Sequence, residues 1–165
     1  MNTIDRNLTP IRSTALGGVL GAVIFCATYF IRLPIGWANG YVNLGDGVIF
    51  LAAWMIGPAA GLCAAVGSAL ADLAAGYAIY IAPTIAIKGL MGFIAGRAFR
   101  NSNLPKRAAV MTLCELLMVA GYAAYESVVF TPPAALASIP MNLLQGTVGV
   151  LAGAALTKIA SAARL

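Results

Sequence analysis

Apolar residues run along this chain in long blocks, and the polar positions that interrupt them gather in a few short segments. Ser13 to Ile31, Pro83 to Ala98, Ala108 to Phe130 and Ala134 to Thr157 each predict one helix that crosses a membrane. The block from Gly45 to Gly76 is short for two crossings, yet Gly57-Pro58 sits at its middle. A proline removes a backbone donor and clashes with the preceding turn, so the pair predicts a break between two short helices. The pattern therefore predicts six helices.

Composition fixes the class. With 61% hydrophobic residues, 9% charged residues and a mean hydropathy of +0.91, the chain reads as an all-α integral membrane protein, a single transmembrane domain over residues 1–165. It holds no Gly-rich phosphate loop of the G-x-x-x-x-G-K-S/T type, so ATP-driven work requires a partner chain. The absence of histidine excludes a His-based metal site or catalytic triad, and no cofactor or catalytic residue is expected. Cys26, Cys63 and Cys114 form no C-x-x-C pair, lie in apolar helices and read as small core hydrophobes.

The net charge of +5 admits nucleic acid as a partner, but its distribution points to the lipid bilayer instead. Eight of the ten cations fall in three clusters: Arg6 and Arg12; Arg97, Arg100, Lys106 and Arg107; Lys158 and Arg164. Short basic flanks face the cytoplasm, so both termini and the 97–107 loop are expected inside, with an even number of crossings between each pair. One long helix over Gly45 to Gly76 would put the most basic loop outside, which again favours two short helices. The expected location is the inner (cytoplasmic) membrane, with multiple passes. The first apolar run is of spanning length and lacks a nearby small-x-small cleavage site, so an uncleaved first helix is expected.

Glycines mark the packing faces. Gly89, Gly92 and Gly96 on the fourth helix share one spacing with Gly146, Gly149 and Gly153 on the sixth, and such smooth faces let membrane helices approach closely. On the first helix Ala15, Gly18 and Ala22 form a similar face with Gly17 and Gly21 beside it, suited either to internal packing or to a partner in the membrane.

Charge inside lipid is costly, so each polar interruption is a candidate for function. With a rise of about 1.5 Å per residue and the orientation above, Asp46, Asp72, Lys88, Glu126, Asn142 and Gln145 all fall in the outer half. Convergence from five helices describes a ligand pocket open to the exterior. The segment from Asn39 to Asp46 adds Asn39, Tyr41 and Asn43, and aromatic side chains surround the set: Tyr122 on a face with Glu115, Met118 and Glu126, and Tyr80 in the third-to-fourth connection beside Tyr77. Trp37, Tyr77 and Tyr80 also suit an interfacial aromatic belt. Asp72 or Glu126 is the expected ion-pair partner if Lys88 is structural, and Asp46 suits the N-cap of the second helix. Glu115 stands apart from the outer gathering.

Four segments, Tyr41 to Phe50, Gly67 to Tyr77, Ile87 to Gly92 and Ile139 to Gly146, together resemble the substrate-binding S components of energy-coupling factor (ECF) vitamin transporters. The resemblance covers nearly the whole chain. It implies a six-helix bundle that captures a vitamin-like small molecule near the extracellular surface. It also implies association with a transmembrane coupling subunit and two cytoplasmic ATPase subunits. The family's alanine-x-x-x-alanine docking pattern on the first helix finds its nearest counterpart here in Gly18-x-x-x-Ala22. Tyrosine faces that stack and amides that read ring substituents suit a polar heterocycle of the pyridoxine or hydroxymethylpyrimidine type.

Two other classes compete. An intramembrane aspartyl protease needs paired carboxylates, which Asp46 and Asp72 supply in number, but Leu44-Gly-Asp-Gly47 is not the Gly-x-Gly-Asp of that group. An autonomous proton-coupled secondary transporter could use Asp72 or Glu126, though no internal repeat of the kind common in such carriers is evident.

Overall fold

A computed structural model describes residues 10–34 and 41–163. Helix α1 spans Pro10–Tyr29 and leads into β1 (Arg32–Pro34), which pairs antiparallel with β2 (Tyr41–Asn43), Leu33 opposite Val42. Then follow α2 (Gly45–Ile56), a 3-10 turn (Gly57–Ala59), α3 (Ala60–Ala74), a second 3-10 turn (Ala78–Tyr80), α4 (Ile81–Ala98), α5 (Leu104–Val129) and α6 (Pro132–Ala162). The expected all-helical architecture holds. The small hairpin was not predicted, because three-residue strands are too short to show a period of two.

The break at Gly57-Pro58 reverses the chain. Gly57 takes φ +64°, a region that favours glycine. Asp46 meets Lys88 of α4, and a Cβ added at Gly57 would lie 3.8 Å from the Gly96 carbonyl, so α2 runs alongside α4 in the same direction. Beyond the turn, Gly61 packs on Gly89 and Phe93, and Ala65 packs on Gly89, so α3 returns antiparallel to α4. Four helical stretches are long and apolar enough to cross a membrane: Gly45–Ala74, Ala78–Ala98, Leu104–Val129 and Pro132–Ala162; a shorter apolar helix covers Ser13–Tyr29.

Helix α2 is the centre of the bundle. Nine of its 12 residues are buried, which its nearly continuous apolar sequence requires, since a helix apolar on every side must be enclosed. Phe50 and Ile49 are fully buried among Ile24 of α1, Met91 of α4 and Met111 and Met118 of α5. Ile11, Leu62, Val128, Leu136 and Leu151 face outward, an apolar exterior suited to lipid.

Helix ends follow local chemistry. Asn103 caps α5 by accepting from the Lys106 amide at 3.1 Å, and Thr131 caps α6 by accepting from the Ala134 amide at 3.3 Å, each with a proline in the first turn. Pro140 lies inside α6 and removes the donor that would bond the Leu136 carbonyl.

The glycine faces of α4 and α6 serve internal packing. A Cβ at Gly92 would stand 2.8 Å from the Ala60 carbonyl oxygen, and one at Gly153 would stand 2.8 Å from the Phe50 ring. Helix α1 divides its small residues between two faces. Gly17 and Gly21 pack on Cys63 of α3, whereas Ala15, Gly18 and Ala22 are exposed and a Cβ at Gly18 would meet nothing within 4 Å. Of the cysteines, Cys114 lies in the core, Cys63 is half-buried against α1, and Cys26 is exposed, a correction to the core expectation for that thiol.

These contacts predict opposite outcomes for two glycines. Gly92→Val forces overpacking against backbone and is expected to cost about 1–3 kcal/mol, visible as a lowered melting temperature in detergent. Gly18→Ala fills open space with a better helix former and is expected to hold or raise the melting temperature. Equal behaviour of the two variants would refute the assignment of the α4 glycines to the α3–α4 seam.

Candidate ligand-binding site

One polar cavity of about 270 Å³ lies between the helices. Nine of the eleven residues expected at a pocket line it: Asn43, Asp46, Asp72, Tyr80, Lys88, Tyr122, Glu126, Asn142 and Gln145. Asn39 and the side chain of Tyr41 lie outside the described residues, as does Trp37.

A connected polar network forms one wall. The Lys88 ammonium donates to Asp46 Oδ1 at 2.5 Å and to the Met118 sulfur at 2.9 Å, and it lies 5.8 Å from the centre of the Tyr122 ring. Gln145 Nε2 donates to Asp46 Oδ2 at 2.9 Å, while Gln145 Oε1 accepts from the Asn43 amide nitrogen at 3.3 Å and from Asn43 Nδ2 at 3.2 Å. Asn43 Oδ1 in turn accepts from the Gly45 amide at 2.9 Å. Asp46 thus has a partner on each oxygen, which a carboxylate only 1% exposed requires.

A second group carries the aromatic side chains. Tyr80 donates to Glu126 Oε1 at 3.0 Å, and Ser138 donates to Glu126 Oε2. Thr84 and Tyr122 share a hydrogen bond at 2.9 Å. The Tyr80 ring centroid stands 6.2 Å from that of Tyr122 and 6.4 Å from that of Tyr77, so three phenol rings border the same space. Asn142 lines the cavity as well, and the buried Thr28 hydroxyl lacks a hydrogen-bond partner among the described residues. That hydroxyl is free to bond a guest.

Two expectations are corrected. Lys88 pairs with Asp46 rather than with Asp72 or Glu126, because α2 lies directly beside α4. Asp46 does not cap α2: Leu44 occupies the cap position, and Asp46 stands in the first helical turn, where a negative charge is favoured by the helix dipole. Glu115 lies outside this cavity and borders a separate crevice between α5 and α6.

Thr28, Ser68, Thr84, Ser138 and Met141 also line the cavity and were missed. A signal for three of them existed. Ser68, Thr84 and Ser138 each precede a recognised polar residue, Asp72, Lys88 or Asn142, by four positions and so share its helix face. Thr28 had no such sign, since only the approach of α1 to Gly45 brings it in. Among the described residues no three His, Cys, Asp or Glu side chains group as a metal ion would need.

The sequence matches the family described as the ECF-type riboflavin transporter, S component, over residues 9–162. The chain belongs to this family. The S component is 35% identical over 131 residues to the "uncharacterized protein in gap 3'region" of Pyrococcus woesei, covering 78% of this chain and 88% of that protein. It is also 35% identical over 98 residues to a UPF0397 protein of Lactiplantibacillus plantarum, covering 57% of this chain and 50% of that protein. Membership makes this S component a substrate-binding subunit of a vitamin-type transporter, and with its long apolar helices a multi-pass membrane protein.

Proposed function

We propose that this S component captures a small vitamin-like heterocycle in the cavity lined by α2 to α6 and delivers it to an ATP-driven import complex. The convergence of nine polar and aromatic residues on one cavity inside an otherwise apolar bundle carries the reading. Asn43, Asp46, Asn142 and Gln145 supply hydrogen bonds, Lys88 supplies charge, and Tyr80 and Tyr122 supply aromatic faces, with Asp72 and Glu126 completing the lining. The family description names riboflavin. A cavity of about 270 Å³ lies just below the ~300–1,000 Å³ usual for drug-sized ligands, which favours a compact ring of the pyridoxine or hydroxymethylpyrimidine type. Mass spectrometry of small molecules released from gently purified protein identifies the ligand directly. Asn142→Ala and Tyr122→Ala are each expected to weaken its binding by about 1–3 kcal/mol, measured by titration, while folding survives. Normal affinity in both folded variants would place the site elsewhere.

The membrane arrangement is part of the proposal. Six helices cross the cytoplasmic membrane, both termini and the 97–107 loop face the cytoplasm, and the cavity opens outward; three basic clusters and the reversal at Gly57 support this order. Single cysteines in a cysteine-free background are expected to label from the cytoplasm near Asn101 and from outside near Pro132. Labelling of Asn101 from outside would overturn it.

Delivery requires partners, because the chain carries no nucleotide-binding loop. A transmembrane coupling subunit, itself joined to two ATPase subunits, docks on the exposed small-residue face of Ala15, Gly18 and Ala22. Gly18→Leu and Ala22→Leu are expected to bind ligand as the parent does, yet to fail in assembly and in ATP-dependent uptake into vesicles. Ligand uptake into liposomes by the chain alone would instead favour an autonomous proton-coupled carrier.

A further inference from the structure

Glu115 is the one acidic side chain that the proposed cavity leaves unused among those buried around it. It lies on α5 one turn before Met118 and is only 4% exposed, and neither carboxyl oxygen has a hydrogen-bond partner among the described residues. Two glycines of α6 make room for it. A Cβ at Gly146 would stand 3.0 Å from Glu115 Cβ; one at Gly149 would overlap Glu115 Oε1 and stand 2.9 Å from Asp46 Cβ. Asp46 and Glu115 therefore flank the same glycine, and Glu115 interacts electrostatically with both Asp46 and Lys88.

Lys88 interacts with both carboxyl groups, but its contacts are uneven. Its ammonium bonds Asp46 on one side, while on α5 its hydrogen-bond partner is the Met118 thioether, a weak acceptor, with the centre of the Tyr122 ring 5.8 Å away. Residues three apart on a helix are surface neighbours, so a carboxyl group lies one turn beyond that sulfur. We infer that Glu115 is a positioning residue, the reserve counterion of Lys88. The inference rests on the proposed cavity: a ligand donor group, such as a hydroxyl or ring N–H, takes Asp46 and Gln145, and Lys88 swings past Met118 to Glu115. The lysine stem is flexible enough for this to be a side-chain motion alone. In both arrangements the buried ammonium keeps one carboxylate while the other carboxyl group holds a proton, which changes sides as Lys88 moves, so no buried charge is left unpaired.

The test needs no ligand, so it stands apart from the identity and even the existence of the vitamin site. Thermal unfolding in detergent is followed for Asp46→Asn, Glu115→Gln, the double variant and the double variant with Lys88→Met. Asp46→Asn is expected to fold with a modestly lowered melting temperature, because Glu115 takes over the ammonium, and Glu115→Gln is expected to melt near the parent. Together they should lower the melting temperature by more than the sum of the single shifts, and Lys88→Met should recover much of that loss. Additive shifts, failure of Lys88→Met to recover them, or failure of either single variant to fold would overturn the reserve-counterion role.

Discussion

The ion pair between Lys88 and Asp46 constrains everything near it. Two charges this deeply buried cost several kcal/mol each in lost hydration and persist only with good geometry and further hydrogen bonds. Asp46 must then sit beside α4, which sets where α2 begins, and Gln145 must reach it from α6. Gly149 allows that approach, since a Cβ there would press on Asp46 and on Glu115 together. The start of α2 is further fixed by Asn43, whose carbonyl oxygen takes the Gly45 amide while its nitrogen meets Gln145. One pair thereby orders three helices and the strand that feeds the second.

A buried start explains the length of α2. With Asp46 level with Lys88, the helix has only the remaining depth of α4 to run before Gly57 meets Gly96, and 12 residues suffice. The return helix α3 needs a tight turn and close backbones, and Gly57, Gly61, Gly92 and Gly96 supply both. The small residues that make the hairpin possible also leave the bundle interior narrow, so the polar cavity forms where the large side chains end, beyond Phe50 and Met91.

Much of this was legible in the sequence because charge inside an apolar helix is rare enough to stand out. Asp46, Asp72, Lys88, Glu126, Asn142 and Gln145 are visible as interruptions, and the break at Gly57-Pro58 is visible as backbone chemistry. The pairing was not. Whether Lys88 meets Asp46, Asp72 or Glu126 depends on which helices are neighbours, and glycine spacing shows that a face is smooth without naming what lies on it. Thr28, Ser68 and Thr84 were hidden for a different reason: small hydroxyl residues are common in membrane helices, where they can bond their own backbone, so they draw no notice on their own. The hairpin of Arg32–Pro34 with Tyr41–Asn43 was too short to leave a pattern.

Helix α1 joins the two ends of the molecule. Thr28 near its C-terminus borders the cavity, while Gly18 lies ten residues earlier, about 15 Å along the axis, on the exposed face. Between them the helix is held to α3 by close backbone contact: a Cβ at Gly67 would stand 2.5 Å from the Gly21 carbonyl oxygen and 3.1 Å from Ile24. Helix α3 itself carries Ser68 and Asp72 to the cavity wall, within about one turn of that contact. Packed backbones transmit displacement because they have no slack to absorb it. The seam at Gly21 and Gly67 thus packs α1 on α3, with Thr28 at the cavity end of α1 and the exposed small residues Gly18 and Ala22 nearer its start.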